Sequence, residues 1–208
     1  MEKSVKLYYS PNLNPRVAVS AARHLNAPVE YVRAMPRHPD HQEAFRQINP
    51  NTLVPVLVES DRTLWEADAI VCRLSALTGS DFWRTGDDQP EMIMWISSAT
   101  HHLTKAADPV YFDRIVMPTF TSERLSPQLI EKSLREFREH AQVLNALLKD
   151  RKWLVGDRLS YADFRVATSL PFAEAADLPI AEFPEICRWH NQLMAIDAWR
   201  DPFQGLNA

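Results

Sequence analysis

The sequence predicts an α/β segment over residues 1–78, a linker over 79–88 and an all-α segment over 89–208. Three observations carry this reading. Up to residue 78, short β-rich runs alternate with stretches of helical apolar spacing. Residues 79–88 are polar and turn-rich, with Gly79-Ser80-Asp81 followed by Gly86-Asp87-Asp88. Beyond them, Ile130, Leu134, Phe137, Ala141, Leu144 and Leu148 step by 4, 3, 4, 3 and 4 residues, an apolar stripe with charged residues opposite.

Val5-Lys6-Leu7-Tyr8-Tyr9 reads as a first strand. Asn14-Pro15 then reads as a helix N-cap followed by an N1 proline, with Val17, Ala21 and Leu25 at helical spacing. Val29 to Arg33 alternates as a second strand, and a β-α-β unit of this length implies a parallel pair with a right-handed crossover. A Pro/His-rich loop, Met35 to Asp40, leads to a short helix over about 41–48, closed by Asn49-Pro50-Asn51. Val54-Pro55-Val56-Leu57-Val58 is a dense β-forming run, and a proline there must open the strand from a turn. A cis Val54-Pro55 bond is one way to do so. Thr63-Leu64-Trp65 is a further strand, and a third helix starts at Glu66 and ends at Gly79. Its Ile70, Val71, Leu74 and Leu77 put apolar groups on more than one side, which predicts a surface covered by a second copy of the chain. Met92 to Ala107 reads as one helix, Ser160-Tyr161-Ala162-Asp163 as a helix start capped by Asp163, and 183–196 as the last helix. Trp189 and Trp199 read as core of the helical part.

Composition excludes several classes of function. The 208 residues are 46% hydrophobic and 24% charged, enough apolar material for a packed core. Net charge is −4 without a Lys/Arg cluster, which argues against a nucleic-acid partner. No apolar run reaches the ~18 residues of a membrane span, and Met1 to Val5 carries no apolar leader. Two cysteines, Cys72 and Cys187, form no disulfide framework, so a reducing, cytoplasmic setting is expected. Four glycines leave no phosphate-binding glycine loop. His101-His102 has no Asp, Glu or Cys at ligand spacing, so no metal is expected.

Three motifs remain: Asn49-Pro50-Asn51-Thr52-Leu53-Val54-Pro55-Val56-Leu57, Trp65-Glu66-Ala67-Asp68-Ala69-Ile70, and Trp153-Leu154-Val155-Gly156-Asp157-Arg158-Leu159-Ser160-Tyr161-Ala162-Asp163. In this order, across essentially the whole chain, they resemble the cytosolic glutathione transferase superfamily: its cis-proline loop, its glutamate–serine turn and its helical capping motif. The opening Lys6-Leu7-Tyr8-Tyr9-Ser10-Pro11 is most similar to the bacterial Beta class. The resemblance implies a thioredoxin-like domain followed by a helical domain, a cytoplasmic homodimer, and transfer of glutathione to small hydrophobic electrophiles. Other glutathione chemistry (peroxide reduction, ether cleavage, isomerisation) and a non-catalytic ligand carrier are the alternatives.

A free thiol titrates near ~8.5, and only its thiolate is a good nucleophile. The resemblance implies a sulfur site at the start of the first helix, where N–H groups and the helix dipole favour an anion. Asn14 stands at the position of the Beta-class cysteine, either as a thiolate donor or only as a cap. Ser10 is the second candidate donor, with Asn12 and Tyr9 beside it. Leu53, Val54 and Pro55 would pair the peptide backbone of glutathione by strand addition. Glu66 would meet the γ-glutamyl ammonium, although an acid in a first helical turn is also ordinary. Ala67 replaces the serine of the pair and keeps only its backbone N–H. Arg37 or His38 would take the glycine carboxylate. The second substrate is expected between the two parts, near Asn12, His101, Thr104, Lys105, Tyr111 and Phe112, the last two as an aromatic wall or as core.

Overall fold

The computed structural model describes residues 5–60 and 62–206. They form two compact units, one of residues up to Trp83 together with those from Asp197 onward, the other Arg84–Ile196.

In the first unit, strands β1 (Lys6–Tyr9), β2 (Glu30–Arg33), β3 (Val56–Glu59) and β4 (Arg62–Trp65) make one sheet in the order β2-β1-β3-β4. The β1–β2 pair is parallel; β1–β3 and β3–β4 are antiparallel. Leu7 lies between Tyr31 and Leu57 in register, so the centre of the sheet is its most apolar point. Helices α1 (Leu13–His24) and α3 (Ala67–Thr78) supply Ala18, Val19, Ala22, Ala67, Ile70 and Leu74 to the core around Leu7, Tyr9 and Leu57. Helix α2 (Pro39–Arg46) buries Phe45 alone, whose ring meets Tyr8 edge-on at 5.9 Å.

The start of α1 differs from the sequence reading. Asn12 is the N-cap, and Asn14 and Pro15 are the second and third helical residues. The first N–H groups of a helix have no intrahelical partner, so a proline fits anywhere in the first turn and does not mark N1 by itself. The apolar residues of α3 also differ from expectation. Ile70, Val71 and Leu74 are fully buried within the chain, and only Leu77 stays half-buried. They are used by the core, and the outer side of α3 keeps exposed Ala69 and Ala76 with half-buried Cys72 and Leu77.

The last segment belongs with the sheet, where the sequence reading puts 89–208 together. Helix α9 (Asp197–Arg200) carries Trp199, which is fully buried beneath the Arg16 guanidinium, 4.6 Å from the ring centroid. Arg16 also donates to the Trp199 carbonyl, Arg23 donates to the Gln204 carbonyl, and Phe203 stacks on Tyr9 at 5.6 Å. Burial lowers the Arg16 pKa to about 10, with the charge of Asp201 opposing the shift.

The second unit holds α4 (Gln89–Ser98), α5 (Thr104–Tyr111), α6 (Pro127–Leu148), α7 (Tyr161–Val166) and α8 (Pro184–Met194). The helix expected over Met92–Ala107 is present and unbroken, but it is wound as α4, a π turn at Ala99–Leu103 and α5, and runs on into a second π turn at Phe112–Val116. The stripe on α6 faces inward: Phe137, Ala141, Leu144 and Leu148 are buried. Asp163 is fully buried and accepts from Ser160 N, Ser160 Oγ, Leu154 N and Trp189 Nε1 at 2.9–3.1 Å. It therefore ties the loop before α7 to α8, as the capping reading expects. Burial raises its pKa to about 6 against the pull of those four donors.

Candidate functional site

A cleft of about 420 Å³ opens on the first unit, lined by Ser10, Asn12, the 34–38 loop, Thr52, Leu53 and Val54. Three local devices shape it. First, β1 ends at Tyr9 and the chain turns into α1, with Asn12 N donating to Ser10 O at 2.9 Å. The Asn12 side chain makes no capping bond to α1; its Nδ2 donates to Ser10 Oγ at 2.9 Å. That bond uses an acceptor lone pair of the hydroxyl and leaves its proton to be donated elsewhere.

Second, the 49–55 loop is held from within. Asn49, nearly buried, donates to the Leu53 carbonyl at 2.9 Å and accepts from Asn51 N at 3.0 Å. Thr52 adopts φ 51°, and the Val54–Pro55 bond is cis, just before β3 begins at Val56. Leu53 is 44% exposed on the cleft. Third, His38 caps α2, its Nδ1 accepting from Asp40 N at 3.4 Å. Arg37 beside it is exposed and makes no hydrogen bond or ion pair among the described residues. No acidic side chain lines the cleft, so Arg37 sets its charge.

Of the residues singled out in the sequence, the structure brings together Ser10, Asn12, Arg37, His38, Leu53 and Val54. Asn14 is exposed in the first turn of α1 and is not among the lining residues. Glu66 is exposed at the N-cap of α3 with φ 71° and ψ 127°, a conformation costly for a residue with a side chain. Ala67 is 4% exposed, with its methyl in the core. Sequence reasoning missed Met35, Pro36 and Thr52; the Pro/His-rich loop was the available signal for the first two.

In the helical unit, His101 and Lys105 are exposed, and His101 Nδ1 lies 2.9 Å from the Ser97 carbonyl. The Thr104 hydroxyl is buried with no hydrogen-bond partner among the described residues. Tyr111 is core, 5% exposed and edge-on to Phe172 at 4.9 Å, while Phe112 is 40% exposed. Burial and then Asp108 raise the Tyr111 pKa. Among the described residues no group of His, Cys, Asp and Glu is arranged to hold a metal ion, and no helix is long and apolar enough to cross a membrane.

A β2-β1-β3-β4 sheet with a cis-proline before β3, followed by a helical unit, is the glutathione transferase fold. Glutathione S-transferase-I, solved bound with the ligand lactoylglutathione, superposes with a TM-score of 0.84 at 21% identity, over 96% of this chain and 98% of that one. The family model for the glutathione S-transferase N-terminal domain matches residues 15–77, and that for the C-terminal domain matches 108–197. Glutathione S-transferase GstB of Escherichia coli (strain K12) is 31% identical, covering 74% of this chain and 74% of that protein. The probable glutathione S-transferase GSTF2 of Oryza sativa subsp. japonica is 25% identical, covering 92% of each. The chain belongs to the glutathione S-transferase family.

Proposed function

We propose that this protein binds glutathione in the cleft of its first unit and transfers the thiolate to a small hydrophobic electrophile. One observation carries the reading. The Ser10–Asn12 hydrogen bond at the start of α1 and the unpaired Arg37 share a single cleft with the Val54 backbone. Glutathione offers a thiol, a peptide backbone and a terminal carboxylate, one for each of these features.

In this reading Ser10, rather than Asn14, donates to the sulfur. Asn12 holds the hydroxyl oxygen from one side, so the Ser10 proton is directed to an acceptor. The dipole of α1 adds to the anion's stability. Val54 pairs the cysteinyl backbone, and Arg37 takes the glycine carboxylate, with His38 next to it. Glu66, held at positive φ, meets the γ-glutamyl ammonium, and the Ala67 N–H at the start of α3 meets its carboxylate. No cysteine lines the cleft, which disfavours chemistry through a protein–glutathione mixed disulfide.

For the electrophile, the first unit offers Asn12 and the helical unit His101, Thr104, Lys105 and Phe112, with Tyr111 used by the core. Adjacent exposed Ile93 and Met94 on α4, 51% and 52% exposed, suit coverage by a second copy, in keeping with a homodimer. A cytoplasmic location and the Beta-like class belong to the same proposal; the class rests on the Lys6–Pro11 opening alone. Retention on immobilised glutathione, followed by turnover of an electrophile panel beside a peroxide panel, tests the function. Retention without conjugation of any electrophile refutes the transferase reading.

A further inference from the structure

The helical unit carries a second cavity, of about 260 Å³, open to solvent beside exposed His102 and Val143, that the proposed function leaves unused. Four elements wall it, α7 through Val166 alone. Trp95 and Ser98 come from α4, His102 from the π turn that follows, and His140, Val143 and Leu144 from α6. A π turn widens the helix, and such turns recur at functional sites.

Two features point to a ligand. Trp95 is 5% exposed, and its Nε1–H has no hydrogen-bond partner among the described residues. An indole N–H can only donate, so the site lacks an acceptor. Beside it, the His102 and His140 rings lie 4.7 Å apart at 36°. Two imidazoles this close repel when both are charged, unless an anion sits between them. The lining holds no Lys, Arg, Asp or Glu, and apart from the Ser98 hydroxyl the rest is aliphatic.

We propose that this cavity binds a small aromatic carboxylate, its ring against the aliphatic wall and its carboxylate accepting from Trp95 Nε1 and the His102–His140 pair. The anion is favoured over a neutral acceptor because it lets the imidazoles hold a proton. In its absence burial, and then His102, push the His140 pKa down, while Glu139 and Glu136 on the same helix oppose this. Glu136 is engaged by Lys132 at 3.6 Å, and α7 contributes only the uncharged Val166 to the wall.

Benzoate is the probe, with benzamide as its neutral counterpart, titrated into the full chain by calorimetry and by imidazole NMR. Benzoate should bind one per chain, equally well with glutathione saturating, and more tightly as pH falls from about 8 to about 6. Benzamide should bind about 10-fold more weakly, and benzoate should move the His140 titration upward by about one pH unit. Trp95→Phe, which keeps a ring and removes the donor, should weaken binding about 10-fold. Val143→Phe changes an exposed position, so folding is preserved, and should weaken binding by crowding the cavity. The proposal is overturned if millimolar benzoate does not saturate, if glutathione displaces it, or if its affinity ignores pH. It is also overturned if folded Trp95→Phe and Val143→Phe bind as the parent does.

Discussion

Ser10→Ala is the substitution that bears most directly on the thiolate assignment. It removes the hydroxyl whose oxygen accepts from Asn12 Nδ2 at 2.9 Å. Asn12 is exposed, so water replaces the lost acceptor and stability should change little. One hydrogen bond to a charged group contributes about 1.5–3 kcal/mol. At ~1.36 kcal/mol per pH unit, the bound glutathione thiol should titrate about 1–2 units higher in the variant. Turnover near neutrality should fall about 10- to 100-fold, with glutathione affinity much less affected. Ultraviolet absorbance of the bound thiolate against pH reads the first quantity, and initial rates read the second. Asn14→Asp is the control. Asp and Asn are equally tolerated near a helix start, and Asn14 is outside the cleft lining, so rate and thiol titration should stay near those of the parent. If Ser10→Ala leaves both quantities unchanged while Asn14→Asp abolishes turnover, the reasoning from the Ser10–Asn12 bond is wrong and the sulfur sits at Asn14.

Arg37→Ala should raise the KM for glutathione about 10-fold with kcat nearly intact, because a carboxylate contact remote from sulfur is made equally in ground and transition states; steady-state kinetics at varied glutathione checks this. Asp163→Asn should destabilise the fold by roughly 1–3 kcal/mol, since its NH₂ must face a buried N–H donor now met by a carboxylate oxygen; thermal or urea unfolding measures it. The sign of the pH effect at Asp163 follows from its raised pKa. The native state holds a proton that the unfolded state has released between about 4 and about 6, so this group's contribution falls as pH rises through that window. The stability gap between the parent and Asp163→Asn should therefore narrow from pH 4 to pH 6; a gap that widens instead contradicts the assignment.

Local chemistry was readable where one residue type admits few conformations. Pro55 had to open β3 because a central strand cannot lose its N–H, and β3 does begin at Val56. Gly79 ended α3 in the left-handed region, and Ser160 with Asp163 announced the start of α7. The stripe from Ile130 to Leu148 announced α6, because period alone defines a buried face. Where several positions satisfy the same rule, the reading slipped: Asn12 and Asn14 both precede Pro15, and either could cap a helix that tolerates proline throughout its first turn.

The sequence by itself determined the strands and helices of the sheet unit in their order along the chain, β1 to β4 with α1 to α3, since these depend on neighbours along the chain. Only the tertiary structure decided which of them meet. It joined Ser10 to Asn12 and set Asn14 outside the cleft lining, because the direction of a side chain depends on where the helix begins. It returned Trp199 to the sheet unit under Arg16, a contact between residues 183 positions apart that no local period encodes. It also faced His102 toward His140 through a π turn, because a one-residue change of helical register is invisible to a pattern that only counts apolar spacing.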